Sequence, residues 1–296
     1  MEFRPITLAD KSAIDALLVA EDKQGTEFCF TSLYSWALNF DTLWCPLSLN
    51  GHPGFVLCSG GYGYLFSGSP DPEVVNGLLA AGKPFTIMGM SREECETLSA
   101  TFGDAFSISP HRDSFDYIYL AQDLLTLKGK KWQAKRNLLN NFKREYPQCT
   151  VEPITAQNIA DCMDFNERWC ATINCSKSTG LRQETCAVRR ILNHFEALRV
   201  EGLLVRLNGL PVAYTVGEPL NSNTYIVHIE KAFIQYKGLY QFINQTFVER
   251  TLQKYPQTVY INREDDSGDQ GLRLAKLSYQ PAYLLEKFVA TPLRIQ

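Results

Sequence analysis

The second half of the chain alternates apolar and polar positions in a way that predicts a β-hairpin followed by alternating helices and strands. Apolar side chains recur at about every second position on either side of Asn208-Gly209, a dipeptide typical of tight hairpin turns. Further along, the apolar pattern changes between strand-like and helix-like periods. The elements predicted here are strands at 202–207, 212–218 and 223–233, a helix at 239–254, a strand at 258–263, a helix at 271–277 and a strand at 283–290.

The first half repeats this plan, which indicates two copies of one α+β fold. Asn50-Gly51 predicts a hairpin, and the two halves open alike, with Pro5-Ile6-Thr7 matching Pro153-Ile154-Thr155 ahead of helical patterns. An opening that is used twice favours a tandem duplication. The other elements predicted here are strands at 41–49, 54–58 and 62–67, a helix at 72–81, a strand at 85–89, a helix at 92–102 and a strand at 116–120.

A basic segment at 127–146 connects the two halves. An apolar stripe that includes Trp132 and Phe142 predicts a helix, and no acidic residue occurs before Glu145. Since the formal net charge of the chain is -3, this run of positive charge is unusual. The segment can track RNA phosphates, bind a diphosphate-containing donor, or form an ordinary solvated connector. Its basic residues are Lys128, Lys130, Lys131, Lys135, Arg136, Lys143 and Arg144.

A short phosphate-binding pattern follows the strand at 223–233. Backbone N–H groups at a helix N-terminus attract phosphate oxygens, and small residues there let the phosphate approach. Gln235 and Gly238 match the pattern Gln/Arg-x-x-Gly-x-Gly/Ala of acetyl-CoA-dependent acetyltransferases, which the order of elements in this half also resembles. Tyr240 stands where that pattern has Gly or Ala, so close docking of coenzyme A is disfavoured.

Three segments resemble one bacterial family: the basic segment, a stretch from His228 to Asn244 and a stretch from Arg263 to Pro281. They are similar to the DUF2156 family, which is related to the C-terminal catalytic domain of phosphatidylglycerol lysyltransferase and to the Fem peptidoglycan aminoacyltransferases. The resemblance implies two tandem GNAT-like domains with mixed, mostly antiparallel sheets flanked by helices. We expect these domains at 1–126 and 149–296, joined by a basic helix at 127–148, with the active cleft mainly in the second.

Candidate catalytic residues lie on and after the strand at 223–233. Acyl transfer needs a base, a polarised donor carbonyl and a proton for the leaving group. His228 and Glu230 share one face of the strand by two-residue alternation, so either is a candidate base. Alternatively, Glu230 forms a structural ion pair with Lys231 or Arg263. Tyr279 is placed to protonate a leaving group, or it packs in the core.

Candidate binding residues form two groups. Charged residues crowd the end of the strand at 258–263, where they can hold an aminoacyl α-amine or an acceptor amine, or form a solvated turn that caps the next helix. This group is Arg263, Glu264, Asp265 and Asp266. The donor-binding candidates are Gln235, Lys237, Gly238, Lys131, Lys135 and Arg136.

The composition argues against several classes of protein. The nine cysteines, which include Cys175, are scattered without a C-x-x-C motif or paired histidines, so we expect no disulfide framework and no metal site. The N-terminus lacks the layout of a signal peptide, and no apolar run approaches the ~18 residues of a membrane span. We therefore expect a cytoplasmic protein, with peripheral membrane contact as an option, and no permanently bound cofactor.

The sequence thus favours an acyltransferase that moves an aminoacyl group from aminoacyl-tRNA to an amine or hydroxyl acceptor. tRNA is then a partner, and the acceptor is a small molecule or a lipid headgroup. The alternatives are an N-acyltransferase that uses acyl-CoA as donor and a non-catalytic binding module with the same fold. The acceptor, the amino-acid preference and the oligomeric state are left open.

Overall fold

The computed structural model describes residues 1–173 and 179–293, which form two compact units. The first unit contains Met1–Asp116, Asp265–Arg273 and the residues from Leu284 onward; the second contains Tyr117–Glu264 and Leu274–Tyr283. Each unit thus collects separate stretches of the chain, whereas the sequence predicts three consecutive segments. The domain limits at 126 and 148 stay a prediction.

The first unit is built on a mixed sheet with the strand order β1-β2-β3-β4-β5-β14-β6. Neighbouring strands are antiparallel except β4 and β5, which are parallel. Its elements are β1 Arg4–Pro5, α1 Lys11–Glu21, α2 Phe30–Trp36, β2 Leu43–Leu49, β3 His52–Ser59, β4 Gly63–Phe66, α3 Pro72–Ala80, β5 Thr86–Met90, α4 Arg92–Phe102, β6 Phe106–Pro110 and β14 Phe288–Pro292.

The second sheet has the order β13-β7-β12-β11-β10-β9-β8, in which β11 and β12 are parallel. The basic helix α6 and the long helix α10 pack together in this unit. The remaining elements of the chain are β7 Asp116–Leu120, α5 Ala121–Thr126, α6 Gln133–Glu145, β8 Thr150–Pro153, α7 Ile159–Ile173, α8 Thr179–Asn193, α9 Phe195–Leu198, β9 Glu201–Leu207, β10 Leu210–Pro219, β11 Thr224–Ala232, α10 Leu239–Lys254, β12 Tyr260–Asn262, α11 Gln270–Leu277 and β13 Tyr283–Leu285.

The two sheets follow one plan, which confirms the predicted α+β duplication. In each, a run of antiparallel strands leads to a parallel pair, β4 with β5 and β11 with β12, and then to an antiparallel neighbour. That neighbour is β14 in the first sheet and β7 in the second. The matching openings also share a hydrogen bond: the Thr7 N–H donates to Asp10 at 2.8 Å and the Thr155 N–H to Asn158 at 2.8 Å.

The single strand predicted at 283–290 is wrong, because the chain forms β13 and β14 there, in different sheets. Lys287 lies just before β14, and its buried ammonium is 2.8 Å from the Asp116 carboxylate. The charged residues Glu286 and Lys287 interrupt the apolar pattern between the two strands, but the sequence alone does not show that Lys287 is buried. The basic helix also begins later than predicted, at Gln133 rather than near 127.

None of the described helices combines the length and apolar composition needed to cross a bilayer. The eight cysteines within the described residues are free. Cys175 lies outside the described residues.

Candidate functional site

Gly238 occupies the N-terminus of α10 in a conformation that favours glycine. Its φ is +93°, and a Cβ there would collide with the carbonyl oxygen of Leu138 and lie 2.9 Å from Cβ of Phe142. Both neighbours belong to the basic helix α6, so this glycine lets the two helices approach closely. Gln235 and Lys237, the other donor-binding candidates of this turn, are exposed. Phosphate binding at the turn stays a prediction.

Tyr240 is packed between the end of β11 and α7. Burial raises the pKa of its phenol, and the backbone of Ala232 and the indole of Trp169 lie beside the hydroxyl. The position where the acetyltransferase pattern has a small residue is therefore filled by a ring with its own polar partners.

Glu230 forms the structural ion pair that was the alternative to a catalytic role. Its side chain is 8% exposed, and one carboxylate oxygen lies 2.8 Å from Arg263 Nη2. The other oxygen accepts a hydrogen bond from Asn244 at 2.8 Å. Both oxygens are engaged, so the carboxylate is poorly placed to accept a proton from a substrate. Lys231 has a different partner, Glu184, at 3.1 Å.

Arg263 lies between Glu230 and two tyrosine rings. Its Cζ is 4.7 Å from the ring centroid of Tyr279 and 5.6 Å from that of Tyr119. Burial on its own lowers the pKa of Arg263, but the Glu230 carboxylate reverses this and the pKa is raised overall. The buried Nη1 has no hydrogen-bond partner among the described residues.

Tyr279 is buried in the same place, at 5% exposure. Burial raises the pKa of its phenol well above the ordinary value, although Arg263 opposes this. The phenol is therefore protonated across the neutral range and can donate a hydrogen bond, while it is a weak acid. The core-packing alternative also holds in part, since its ring lies 6.4 Å from that of Trp132.

Lys135 is the donor-binding candidate that joins these residues. Its ammonium donates to the Ser278 hydroxyl at 2.7 Å and lies 4.1 Å from the centroid of the Tyr279 ring. Burial and, secondarily, the charge of Arg263 lower the pKa of Lys135. We call Glu230, Arg263, Tyr279 and Lys135 the Tyr279 cluster. Its formal charge is positive, which suits the anionic or ester oxygen of a ligand.

His228 lies outside this cluster, between two carboxylates. Its ring nitrogens are 2.9 Å from Glu264 and 3.0 Å from Glu218, and its side chain is 2% exposed. Both ring nitrogens are thus engaged by carboxylates of neighbouring elements. The geometry therefore supports a structural role for His228.

The comparison with known proteins decides the family. Residues 70–291 match the family model described as phosphatidylglycerol lysyltransferase, C-terminal. The chain belongs to this family. An uncharacterized protein of Mycoplasmoides gallisepticum is 25% identical over 184 residues, which are 60% of this chain and 56% of that protein. The chain thus spans about half the length of this curated relative.

Solved structures confirm the tandem GNAT-like fold, because a tandem GNAT protein from the clavulanic acid biosynthesis pathway aligns over 98% of each chain with a TM-score of 0.52 and 10% identity. A conserved protein of unknown function from Bacteroides thetaiotaomicron is 37% identical, with a TM-score of 0.89 and 99% of each chain covered. L-PGS from Bacillus licheniformis is 15% identical, with a TM-score of 0.64 over 96% of this chain and 92% of that one. FemX is 11% identical, with a TM-score of 0.60 over 99% of this chain and 98% of that one.

In this member of the lysyltransferase family, the predicted group of charged residues at the end of β12 does not act as one unit. Arg263 contacts Glu230, and Glu264 contacts His228. Asp266 belongs to the first unit, where it is fully buried and binds Arg273 at 2.8 Å. Asp265 accepts hydrogen bonds from the backbone and hydroxyl of Ser267. Each carboxylate thus has a local partner.

Arg136 and Lys131, the other two donor-binding candidates from the basic segment, differ from Lys135. Arg136 donates to the backbone carbonyls of Leu127 and Gly129 and so anchors the loop before α6. Lys131 is 3.9 Å from Asp123, and both side chains are substantially exposed. The basic residues that are exposed to solvent are Lys128, Lys130, Lys131, Lys143 and Arg144.

Glu218 and Asn244 were missed by reasoning from the sequence. The register of β10 and β11 shifts between Val216 and Gly217, so the paired positions pass from Ile229 to Val227 and skip His228. Simple alternation therefore could not pair His228 with Glu218. A helical-wheel projection of 239–254 would have placed Asn244 on the buried face with Ile243 and Phe247, and a buried amide is a signal for a polar partner.

Proposed function

We propose that the protein transfers an aminoacyl group from aminoacyl-tRNA to the amine or hydroxyl of a small molecule or lipid headgroup. Membership of the lysyltransferase family supports an acyltransferase. The observation that carries the proposal is the Tyr279 cluster, in which Arg263 and Lys135 outweigh the charge of Glu230. A positive, largely buried cluster stabilises the negative charge that develops on a carbonyl oxygen during acyl transfer.

The reaction then runs through a tetrahedral intermediate. The lone pair of the acceptor attacks the carbonyl carbon of the aminoacyl ester, and the C–O bond to the terminal ribose breaks. Lys135 and Arg263 stabilise the oxyanion, and Tyr279 supplies a hydrogen bond because its phenol stays protonated. Glu230 positions Arg263 and does not act as the base, because both of its oxygens are engaged. The proton of the acceptor therefore passes to a phosphate of the donor, and from there to the departing ribose oxygen.

The basic residues around α6 support a tRNA donor. They are exposed and clustered in sequence, in a chain whose formal net charge is -3. Phosphate contacts from such residues give binding that weakens steeply as salt rises. The cluster would then receive the aminoacyl end, while the exposed lysines contact the phosphate backbone.

The affinities for charged and uncharged tRNA test whether the Tyr279 cluster binds the aminoacyl end while the exposed lysines bind the phosphate backbone. We expect Lys135→Met to weaken binding of aminoacyl-tRNA about tenfold and to leave uncharged tRNA unaffected, because its ammonium acts on the ester. The control Lys143→Met should weaken both to the same small extent, since Lys143 is exposed on α6. Fluorescence anisotropy measures both. Equal losses for the two tRNA forms in Lys135→Met would remove the cluster from the donor site.

An acyl-CoA donor is the second candidate, favoured by the match at Gln235 and Gly238. A thermal-shift comparison separates the two donors, because a ligand that binds the folded state raises its unfolding temperature. Stabilisation by coenzyme A without stabilisation by aminoacyl-tRNA would favour the N-acyltransferase. Stabilisation by neither would favour the non-catalytic binding module.

A further inference from the structure

Trp132 packs against the Tyr279 cluster and carries a buried donor that the proposed reaction does not use. Its ring lies 6.4 Å from that of Tyr279 and is fully buried. The indole Nε1 has no hydrogen-bond partner among the described residues. An indole N–H can donate but not accept. Buried polar groups are almost always paired in folded proteins, so this N–H indicates a partner from outside the chain.

Arg263 supplies a second buried donor at the same ring. Its Nη2 is 2.8 Å from Glu230, whereas its buried Nη1 has no hydrogen-bond partner within residues 1–173 and 179–293. The guanidinium carbon is 4.7 Å from the centroid of the Tyr279 ring. Trp132 and Arg263 thus contact one ring in the second unit, and each has a donor that still needs an acceptor.

The charge around the Tyr279 ring is positive. The Lys135 ammonium lies 4.1 Å from the centroid of this ring, which Arg263 also contacts. The Glu230 carboxylate balances one of these two cations. Burial and then the charge of Arg263 lower the pKa of Lys135, as expected for two cations held close together. One further negative charge would compensate the group.

The balance of donors and acceptors favours an oxyanion over a water molecule as the missing partner. A buried water brings hydrogens that need acceptors of their own. The carboxylate of the cluster, Glu230, is already engaged at both oxygens, by Arg263 and Asn244. A carboxylate or a phosphate only accepts hydrogen bonds, and it also carries the negative charge that the site needs. The guanidinium of Arg263 suits either group, because its N–H donors match paired oxygens.

We propose that Trp132 and Arg263 bind an oxyanion, the carboxylate or the phosphate of a small ligand, with Lys135 contributing charge. We call these three residues the Trp132 site. Lys135 is half-buried and the other two lie deeper, so the ligand reaches the site past the Lys135 side chain. The proposal goes beyond aminoacyl transfer, because binding of an anion requires neither tRNA nor a reaction.

The indole N–H signals of the full chain in a proton–nitrogen correlation spectrum give the most direct readout. We expect acetate or inorganic phosphate to move the Trp132 signal downfield and saturably, since a hydrogen bond to an anion is strong. Trp132→Phe keeps an aromatic ring and removes the N–H, so it identifies the signal. The anion that saturates the signal at the lower concentration identifies the group that the site prefers.

Trp44 is an internal control in the first unit. It is 2% exposed, and its Nε1 likewise has no partner in the described part of the chain. The Arg4 guanidinium lies over its ring, but Asp10 at 2.7 Å neutralises that charge. The buried N–H is therefore matched and the excess positive charge is not, so we expect neither anion to move the Trp44 signal.

Arg263→Lys tests the second donor, because it keeps the charge and removes Nη1. The concentration for half-saturation should rise about tenfold. Arg144→Lys, the same exchange at an exposed residue of α6, is the matched control and should leave it unchanged. If thermal unfolding shows that Arg263→Lys does not fold, Lys135→Met carries the test. Its control is Glu249→Gln, at an exposed residue of α10 in the same unit.

The proposal is overturned if neither anion moves the Trp132 signal, or if sodium chloride at the same ionic strength moves it as far. It is also overturned if the Trp44 signal moves equally, or if the folded variant of the site saturates at the native concentration. These measurements contain no tRNA, so their failure is separate from a failure of aminoacyl transfer.

Discussion

At the scale of single residues, Arg263 is the centre of the Tyr279 cluster, because it contacts both the Glu230 carboxylate and the Tyr279 ring. The ammonium of Lys135 lies over the same ring. Their roles depend on contacts between residues far apart in the chain. The pair joins Glu230 on β11 to Arg263 just after β12, and two-residue alternation reports only the face of one strand.

The ion pair between Glu230 and Arg263 makes a direct prediction for stability. Glu230→Gln should lower the free energy of unfolding by about 3 kcal/mol, because it leaves the buried Arg263 guanidinium without its counter-charge. The double variant with Arg263→Gln should lose less than the sum of the two single variants. Urea denaturation gives all three values. A loss below about 1 kcal/mol for Glu230→Gln, or strict additivity, would be incompatible with a structural pair.

At the scale of elements, local sequence signals predicted the limits of a helix correctly where a cap or a turn marks its end. The helix predicted at 92–102 has the observed limits, since Ser91 and Glu94 form a capping box. The helix at 239–254 also matches, because Gly238 marks its start. The segment 283–290 failed because its division into β13 and β14 depends on pairing with distant strands.

Gly238 tests the packing of α6 on α10. Gly238→Ala should lower the free energy of unfolding by more than 2 kcal/mol, roughly the sum of a strained φ and an overlap with the backbone of Leu138. Gly209→Ala is the matched control: its φ is +80°, but a Cβ there meets nothing within 4 Å, so it should cost about 1 kcal/mol. If thermal or urea unfolding gives the same loss of stability for Gly238→Ala and Gly209→Ala, α6 moves to make room for the added methyl group and the prediction is wrong.

At the scale of the whole molecule, the sequence revealed the duplication but not how the chain completes each sheet. The repeated Pro-Ile-Thr opening reflects a local hydrogen bond, from the Thr7 N–H to Asp10 and from the Thr155 N–H to Asn158, which short motifs encode. The place beside β5 is filled by β14 and the place beside β12 by β7. Such long-range pairing leaves no periodic signal in either strand.

Family membership and fold support an acyltransferase, and the Tyr279 cluster is the part of the second unit that we assign to the chemistry. The sequence could not separate this cluster from the group of charges at 263–266. That group is continuous in sequence, yet Arg263 and Glu264 have separate partners, Glu230 and His228. The role proposed for this cluster is the transfer of an aminoacyl group.

The most direct test is a transfer assay with tRNA charged with radiolabelled amino acids and a mixture of small-molecule amines and extracted lipids. We expect label to leave the tRNA for an acceptor, beyond the free amino acid released by hydrolysis. Lys135→Met should transfer at least about tenfold more slowly, since it loses a charge that stabilises the oxyanion, while Glu249→Gln keeps the native rate. Label that stays on the tRNA with the native chain, or a native rate in Lys135→Met, would contradict it.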